Sequence, residues 1–189
     1  MVRVAILADT HLTSFDGGLG DEVASYLQGV DLILHAGDVY AASALDWLET
    51  FAPVVVARGN GDETLDHDLR VKEVQLFHCA GIWIGARHWF DYPLRDDAAI
   101  KEQVYAVFGR TVDVVVFGDT HVPVVDQNGS ILLVNPGSPT VPRMRLGVPG
   151  TIALLEVTDG SAQVSLVHLQ QAIRLKLFGN REPRLNWAL

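Results

Sequence analysis

The sequence predicts an α/β fold: a four-layer α-β-β-α sandwich, two packed mixed sheets flanked by helices. Two observations point to it. Short β-branched apolar runs closed by Gly, Asp or Asn alternate with stretches of helical periodicity, as in βαβ units. From residue 71 onward, alternating runs also flank tight turns, which is the signature of hairpins.

The strand-like runs are residues 2–8, 31–35, 53–57 and 112–117. The first leads straight into Asp9 with no A-x-A cleavage pattern, so it reads as a strand and not as a signal peptide. Residues 19–28, 41–51 and 96–108 carry apolar side chains at helical spacing, and Gly109 stops the last of these. Hairpins are expected within residues 71–84 around Cys79-Ala80-Gly81, and within 122–134 around Gln127-Asn128-Gly129. A third is expected from residues 151–157 and 162–168 around Asp159-Gly160. One domain over residues 1–175 is expected, followed by a C-terminal tail at 176–189 that holds Phe178, Arg181, Arg184 and Trp187 without periodicity.

Composition narrows the function classes. The chain has 189 residues, 49% of them hydrophobic, enough for a sizeable core. Its longest apolar runs are interrupted well short of the ~20 residues a membrane span needs, so no membrane association is expected. Cys79 is the single cysteine; it cannot form an internal disulfide, and a cytoplasmic location is favoured. The net charge of -9, with only 14 Lys and Arg, would repel a nucleic-acid polymer.

Polar clusters follow four of the strands: Asp9-Thr10-His11, Gly37-Asp38, Gly59-Asn60-Gly61-Asp62 and Gly118-Asp119-Thr120-His121. The crevice beyond the carboxyl ends of parallel strands is the usual ligand site, so clusters distant in sequence can meet there. An extended backbone would aim Asp9 and His11 the same way. Mixed oxygen and imidazole donors in one crevice suit Mn, Fe, Zn or a similar divalent ion. Each cluster also has a plain structural explanation: Asp9 and Asp38 as helix N-caps, Asn60-Gly61-Asp62 as a turn, His121 as a satisfied core histidine. Four of them together, each at a strand end, favour the shared site.

As an ordered set these motifs, with Asn135-Pro136-Gly137-Ser138 and the Arg143 that follows, resemble the calcineurin-like metallophosphoesterases, in particular their small bacterial and archaeal phosphodiesterases. The resemblance spans nearly the whole chain. It implies that Asp9, His11, Asp38 and His121 hold a first metal, that Asp38 bridges to a second, and that Asn60 ligates the second. Two ions would flank the phosphate and lower the pKa of the attacking water.

Two departures from the family pattern fall on second-metal ligands. Ala86-Arg87-His88 stands where the family has His-Gly-His, and Asp119 replaces the first histidine of Gly-His-Thr-His. Asp119 adds an anionic oxygen, which favours Mn or Mg over Zn; one or two ions are expected, Mn first, with Fe, Ni, Zn or Mg as the others. Gly61 sits where related enzymes often carry a His used as an acid, or a Cys. The expected catalytic set is therefore His88, Asn60 and Asp62, with His88 contacting the phosphate or donating a proton to the leaving group. Arg87, Arg58 and Asn60 are the expected substrate-binding residues, and a guanidinium at Arg87 could replace part of a missing metal's charge.

The expected function is hydrolysis of a small phosphoester, most readily a phosphodiester, by a metal-activated water. The rivals are a non-catalytic scaffold of the same fold that binds a protein partner, and a nuclease acting on short oligonucleotides if Arg58, Arg87, Arg95, Arg143 and Arg145 cluster. A homo-oligomer contact is open through Trp89-Phe90 or through Phe178 and Trp187.

Overall fold

The computed structural model describes residues 1–12, 18–94, 96–144 and 148–170. Arg95, Arg145, Phe178, Trp187 and the 176–189 tail, all named above, lie outside the described residues.

The chain opens with β1 (Val2–Leu7), α1 (Gly20–Leu27), β2 (Leu32–His35), α2 (Ala42–Glu49) and β3 (Val54–Ala57). These strands pair in parallel, each reached through a helix, as the alternation of periods requires. A short β4 (Val71–Lys72) extends the same sheet parallel to β3. Residues 71–72 thus leave the hairpin predicted for residues 71–84, which is confined to β5 (Gln75–Cys79) and β6 (Ile82–Ala86). The turn between these strands is made by Ala80 and Gly81, both at positive φ.

A single βαβ unit runs from β6 through α3 (Asp97–Phe108) to β7 (Val114–Val116). The Asp96 side chain accepts the Ala99 N–H at the start of α3, and Gly109, at φ 69°, closes its end. The hairpin of β8 (Val124–Asn128) and β9 (Ile131–Asn135) completes a five-stranded sheet in the order β5-β6-β7-β9-β8. The last hairpin, β10 (Thr151–Thr158) and β11 (Ser161–His168), returns to the first sheet, giving β11-β10-β1-β2-β3-β4.

Three clusters of buried side chains define the layers. Val23, Leu27, Leu45 and Leu48 of α1 and α2 pack with Ala5, Leu7 and Ile33 of the first sheet. Val4, Ile6 and Leu34 meet Ile84, Val116 and Val134 between the two sheets. Ile100, Val104 and Phe108 of α3 pack with Val115 and Leu133 on the outer face of the second sheet. Each central strand buries both faces, which is why its sequence is nearly all apolar and its polar residues wait until the strand has ended. The result is the predicted α-β-β-α sandwich. Among the described residues, no helix is long and apolar enough to cross a membrane. The Trp89-Phe90 pair does not form one exposed patch, because Phe90 packs into the α3 core while Trp89 stays 61% exposed.

Candidate metal centre

The carboxyl ends of β1, β2, β3, β6 and β7 open onto one crevice. Beyond β1 and β2 the chain stops being extended: Asp9, His11 and Asp38 have φ of 53°, 48° and 58°, and Asp119 and His121 after β7 have 67° and 55°. This corrects the expectation of an extended backbone at Asp9 and His11; both side chains reach the crevice through left-handed turns. Such conformations cost about 1 kcal/mol or more each and persist only where the surroundings fix them.

The surroundings do fix them. The N–H groups of Asp9, His11 and Leu12 donate to the carbonyls of Gly37, Asp38 and Val39, each at 2.9 Å, so the two loops interlock. Ser138 Oγ donates to the Asp9 carbonyl at 2.7 Å and Thr140 Oγ1 to that of Thr10 at 2.9 Å. Buried His35 accepts the Gly37 N–H at Nδ1 (3.1 Å), which leaves its Nε2–H to donate to Thr10 Oγ1 at 3.2 Å. Burial pushes the His35 pKa down to about 4, keeping it neutral for this double role.

Asp62 is fully buried, and both its oxygens are occupied by backbone donors. Oδ2 accepts the N–H groups of Asp38 and Gly59 at 2.9 Å, and Oδ1 those of Val39 (2.7 Å) and Tyr40 (2.9 Å). Asp62, expected in the catalytic set, thus engages its carboxylate with four backbone N–H groups that hold the Asp38 loop.

Two groups of donor atoms converge, Asp9 with His11 and His121, and Asp9 with Asp38 and His88; within each group the atoms lie within 4.8 Å of one another. Asp38 faces both groups, with Oδ2 3.4 Å from His11 Nε2 and Oδ1 3.6 Å from His88 Nε2. His121 Nε2 is 3.7 Å from Asp9 Oδ1. Asp9 Oδ2, His11 Nε2 and His88 Nε2 are buried with no hydrogen-bond partner.

Backbone carbonyls orient two of the histidine rings. His88 Nδ1 lies 2.6 Å from the Ala36 carbonyl and His121 Nδ1 2.8 Å from that of Val141; a carbonyl only accepts, so each Nδ1 carries the proton. Each ring then turns its Nε2 toward the carboxylates, the arrangement in which a backbone carbonyl orients a metal-ligating histidine. Gly37 makes room for this: a Cβ there would lie 2.6 Å from His88 Nδ1. Burial and the neighbouring His121 hold the His11 pKa down at about 4, so His11 is neutral. Burial, and after it the Asp38 charge, pushes Asp9 up to about 8. Buried ring nitrogens that face carboxylates without a hydrogen-bond partner, and a carboxylate that resists ionisation, fit a divalent cation at this place.

His88, expected to contact the phosphate or donate a proton, lies with the donor atoms of Asp9 and Asp38. Ala86 is also re-placed. It lies within β6, opposite Gln75 and Val116 and fully buried between the sheets, so it is no vacated ligand position. Asp119 does not join either donor group; its side chain is 42% exposed, with Oδ1 3.8 Å from His88 Nε2. Asn60 is exposed at the mouth of a cavity of about 330 Å³ that it lines together with Arg58, Arg87, His88, Trp89 and Asp119. Arg143 lines a separate hollow with Pro123 and His168, so the described arginines do not form one cluster. Sequence reasoning also missed Tyr40, whose ring centroid lies 4.6 Å from that of His11 with the planes tilted at 51°; no motif marks it.

Comparison with known proteins agrees with this geometry. The sequence model of the Calcineurin-like phosphoesterase superfamily domain matches residues 2–160. A probable metallophosphoesterase of Methanothermobacter thermautotrophicus is 33% identical over 141 residues, 75% of this chain and 79% of that protein. Another from Methanocaldococcus jannaschii is 36% identical over 146 residues, 76% and 71% of the two chains. Among solved structures, wild-type Vps29 of Entamoeba histolytica complexed with Zn2+ superposes with a TM-score of 0.67 at 21% identity, covering 88% of this chain and 99% of that one. That likeness establishes the shared fold.

Proposed function

Since the chain belongs to the calcineurin-like phosphoesterase superfamily, we propose that it is a metal-dependent phosphodiesterase acting on small phosphodiesters in the cytoplasm. One observation carries the reading: Asp9 Oδ2, His11 Nε2 and His88 Nε2 are buried without partners around the Asp38 carboxylate. A scaffold has no use for three orphaned donors in its interior, where each costs about 1–3 kcal/mol unless a ligand engages it.

Asp9, His11 and His121 would hold one ion and Asp9, Asp38 and His88 a second, with Asp38 oriented to both. Manganese is the ion this set favours, since its carboxylates and the nearby Asp119 give it oxygen character. When bound, the metal supplies a water of lowered pKa and shares the charge developing on the phosphoryl group. The chain's own residues bind and orient. Asn60 at the cavity mouth holds the phosphoryl group over the donor atoms, and the Arg87 guanidinium takes its outer oxygens. Arg58 lines the same wall, with its Nε bonded to Asp66 Oδ1 at 2.6 Å. With its Nδ1–H engaged by the Ala36 carbonyl, His88 does not serve as acid to the leaving group through that atom, so esters with easily departing alcohols are the better substrates.

The test is hydrolysis of bis(p-nitrophenyl) phosphate after chelation and stepwise return of single ions, with Asp38→Asn alongside. Hydrolysis should vanish with metal, return best with Mn, and fall more than about a hundredfold in the variant, beyond what an outer-shell partner costs. The variant keeps its fold, because an amide oxygen can still accept the Gly61 N–H that Asp38 Oδ1 now accepts at 2.8 Å. Undiminished turnover in excess chelator would refute the proposal.

A further inference from the structure

Trp89 stands out among the residues of the site. It directly follows the donor His88, is 61% exposed, and lines the same cavity of about 330 Å³ as His88, Asn60 and Asp119. Its neighbour Phe90 is anchored in the core, and the His88 carbonyl accepts the Gly118 N–H at 2.9 Å, so the backbone carrying the indole is fixed on both sides. Arg87, on the other side of His88, meets Glu73 only at 3.8 Å, longer than a hydrogen bond, so its guanidinium is not committed to that carboxylate.

We propose, resting on the phosphodiesterase reading above, that Trp89 is a stacking platform, and that the natural substrates carry a flat aromatic group, such as a nucleobase, within reach of the scissile phosphate. A held indole, the Arg87 guanidinium and the donor His88 line one hollow, together with Glu73, and they match the three parts of such a molecule: ring, phosphate charge and reacting phosphorus. The cavity lies at the small end of ligand sites and the net charge is -9, so the ligand is a mononucleotide-sized ester and not a polymer.

The experiment measures calorimetric binding of AMP and of ribose 5-phosphate to the full, Mn-loaded chain and to Trp89→Ala and Trp89→Phe, with metal content recorded for each. The two ligands share sugar and phosphate and differ only in the base. Wild type should bind AMP about tenfold to hundredfold more tightly than ribose 5-phosphate, as one base–aromatic stack implies. Trp89→Ala should remove the gap and Trp89→Phe should keep most of it. Equal affinities in wild type, or a gap that survives Trp89→Ala, overturn the stacking site even if bis(p-nitrophenyl) phosphate is hydrolysed. A base-dependent gap in a chain that hydrolyses no diester overturns the phosphodiesterase reading and leaves the stacking site standing.

Discussion

Asp62 supports Asp38 from beneath: its Oδ2 accepts the Asp38 N–H at 2.9 Å while Asp38, at φ 58°, turns its own two oxygens toward His11 and His88. One carboxylate is engaged by backbone donors while the other faces the histidines. Asp62→Ala would leave the N–H groups of Asp38, Val39, Tyr40 and Gly59 without their acceptor. Stability should fall by about 3 kcal/mol or more in urea denaturation, and Mn affinity should weaken with it. A variant with wild-type stability would return Asp62 to the candidates for direct chemistry.

Arg87 offers a sharper reading of catalysis. If its guanidinium takes the phosphoryl oxygens, Arg87→Ala should lower kcat/KM by roughly tenfold to a hundredfold, the worth of a charge-assisted pair. Metal content per chain should stay the same, since Arg87 is in neither donor group. Unchanged kinetic constants would make it an ordinary surface arginine.

The metal-free protein should be most stable near pH 6.5. His11 and His35 have folded pKa values lowered from 6.5 to about 4, so their contribution is present above 6.5 and is lost as pH falls toward 4. Asp9 has a folded pKa raised from 3.8 to about 8, so its contribution has the opposite sign: it is present below 3.8 and is lost as pH rises toward 8. Between 4 and 6.5 the two histidines outweigh the one acid and stability climbs; between 6.5 and 8 only Asp9 titrates and stability declines. Mn should flatten the alkaline limb by stabilising ionised Asp9, and should release a proton on binding below pH 8. A melting temperature of the chelated protein that keeps rising from pH 6.5 to 8 would contradict this.

Gly61 and Tyr40 are coupled by shape. A Cβ at Gly61 would lie 2.6 Å from Tyr40 Cζ, so the tyrosine ring fills the space a side chain at position 61 would need. Gly61→Ala should cost about 2 kcal/mol through overpacking. In a Tyr40→Ala background the same change should cost at least about 1 kcal/mol less, the coupling expected of residues in contact. Additive effects in the double-mutant cycle would show that the ring moves aside freely.

Much of this protein was legible in its sequence because the signals are local. Strands buried on both faces must be apolar throughout, so β1, β2, β3 and β7 announce themselves, and the Gly109 stop and the Asp159-Gly160 turn mark where elements end. Ligand-type residues could collect only past those strand ends, which put Asp9, His11, Asp38 and His121 in one crevice before any coordinates. Tertiary structure alone decided the rest. Which sheet receives the β10–β11 hairpin depends on pairing with β1 about 150 residues away, as Val2 opposite Val157 shows, and no local pattern encodes that. The same holds for roles within the site. Asp62 and Asp38 are the same residue type in similar Gly-rich loops, and only the direction of four backbone N–H groups makes one a support and the other a donor. His88 turns its Nε2 to the carboxylates because its Nδ1 is engaged by the Ala36 carbonyl, 52 residues away.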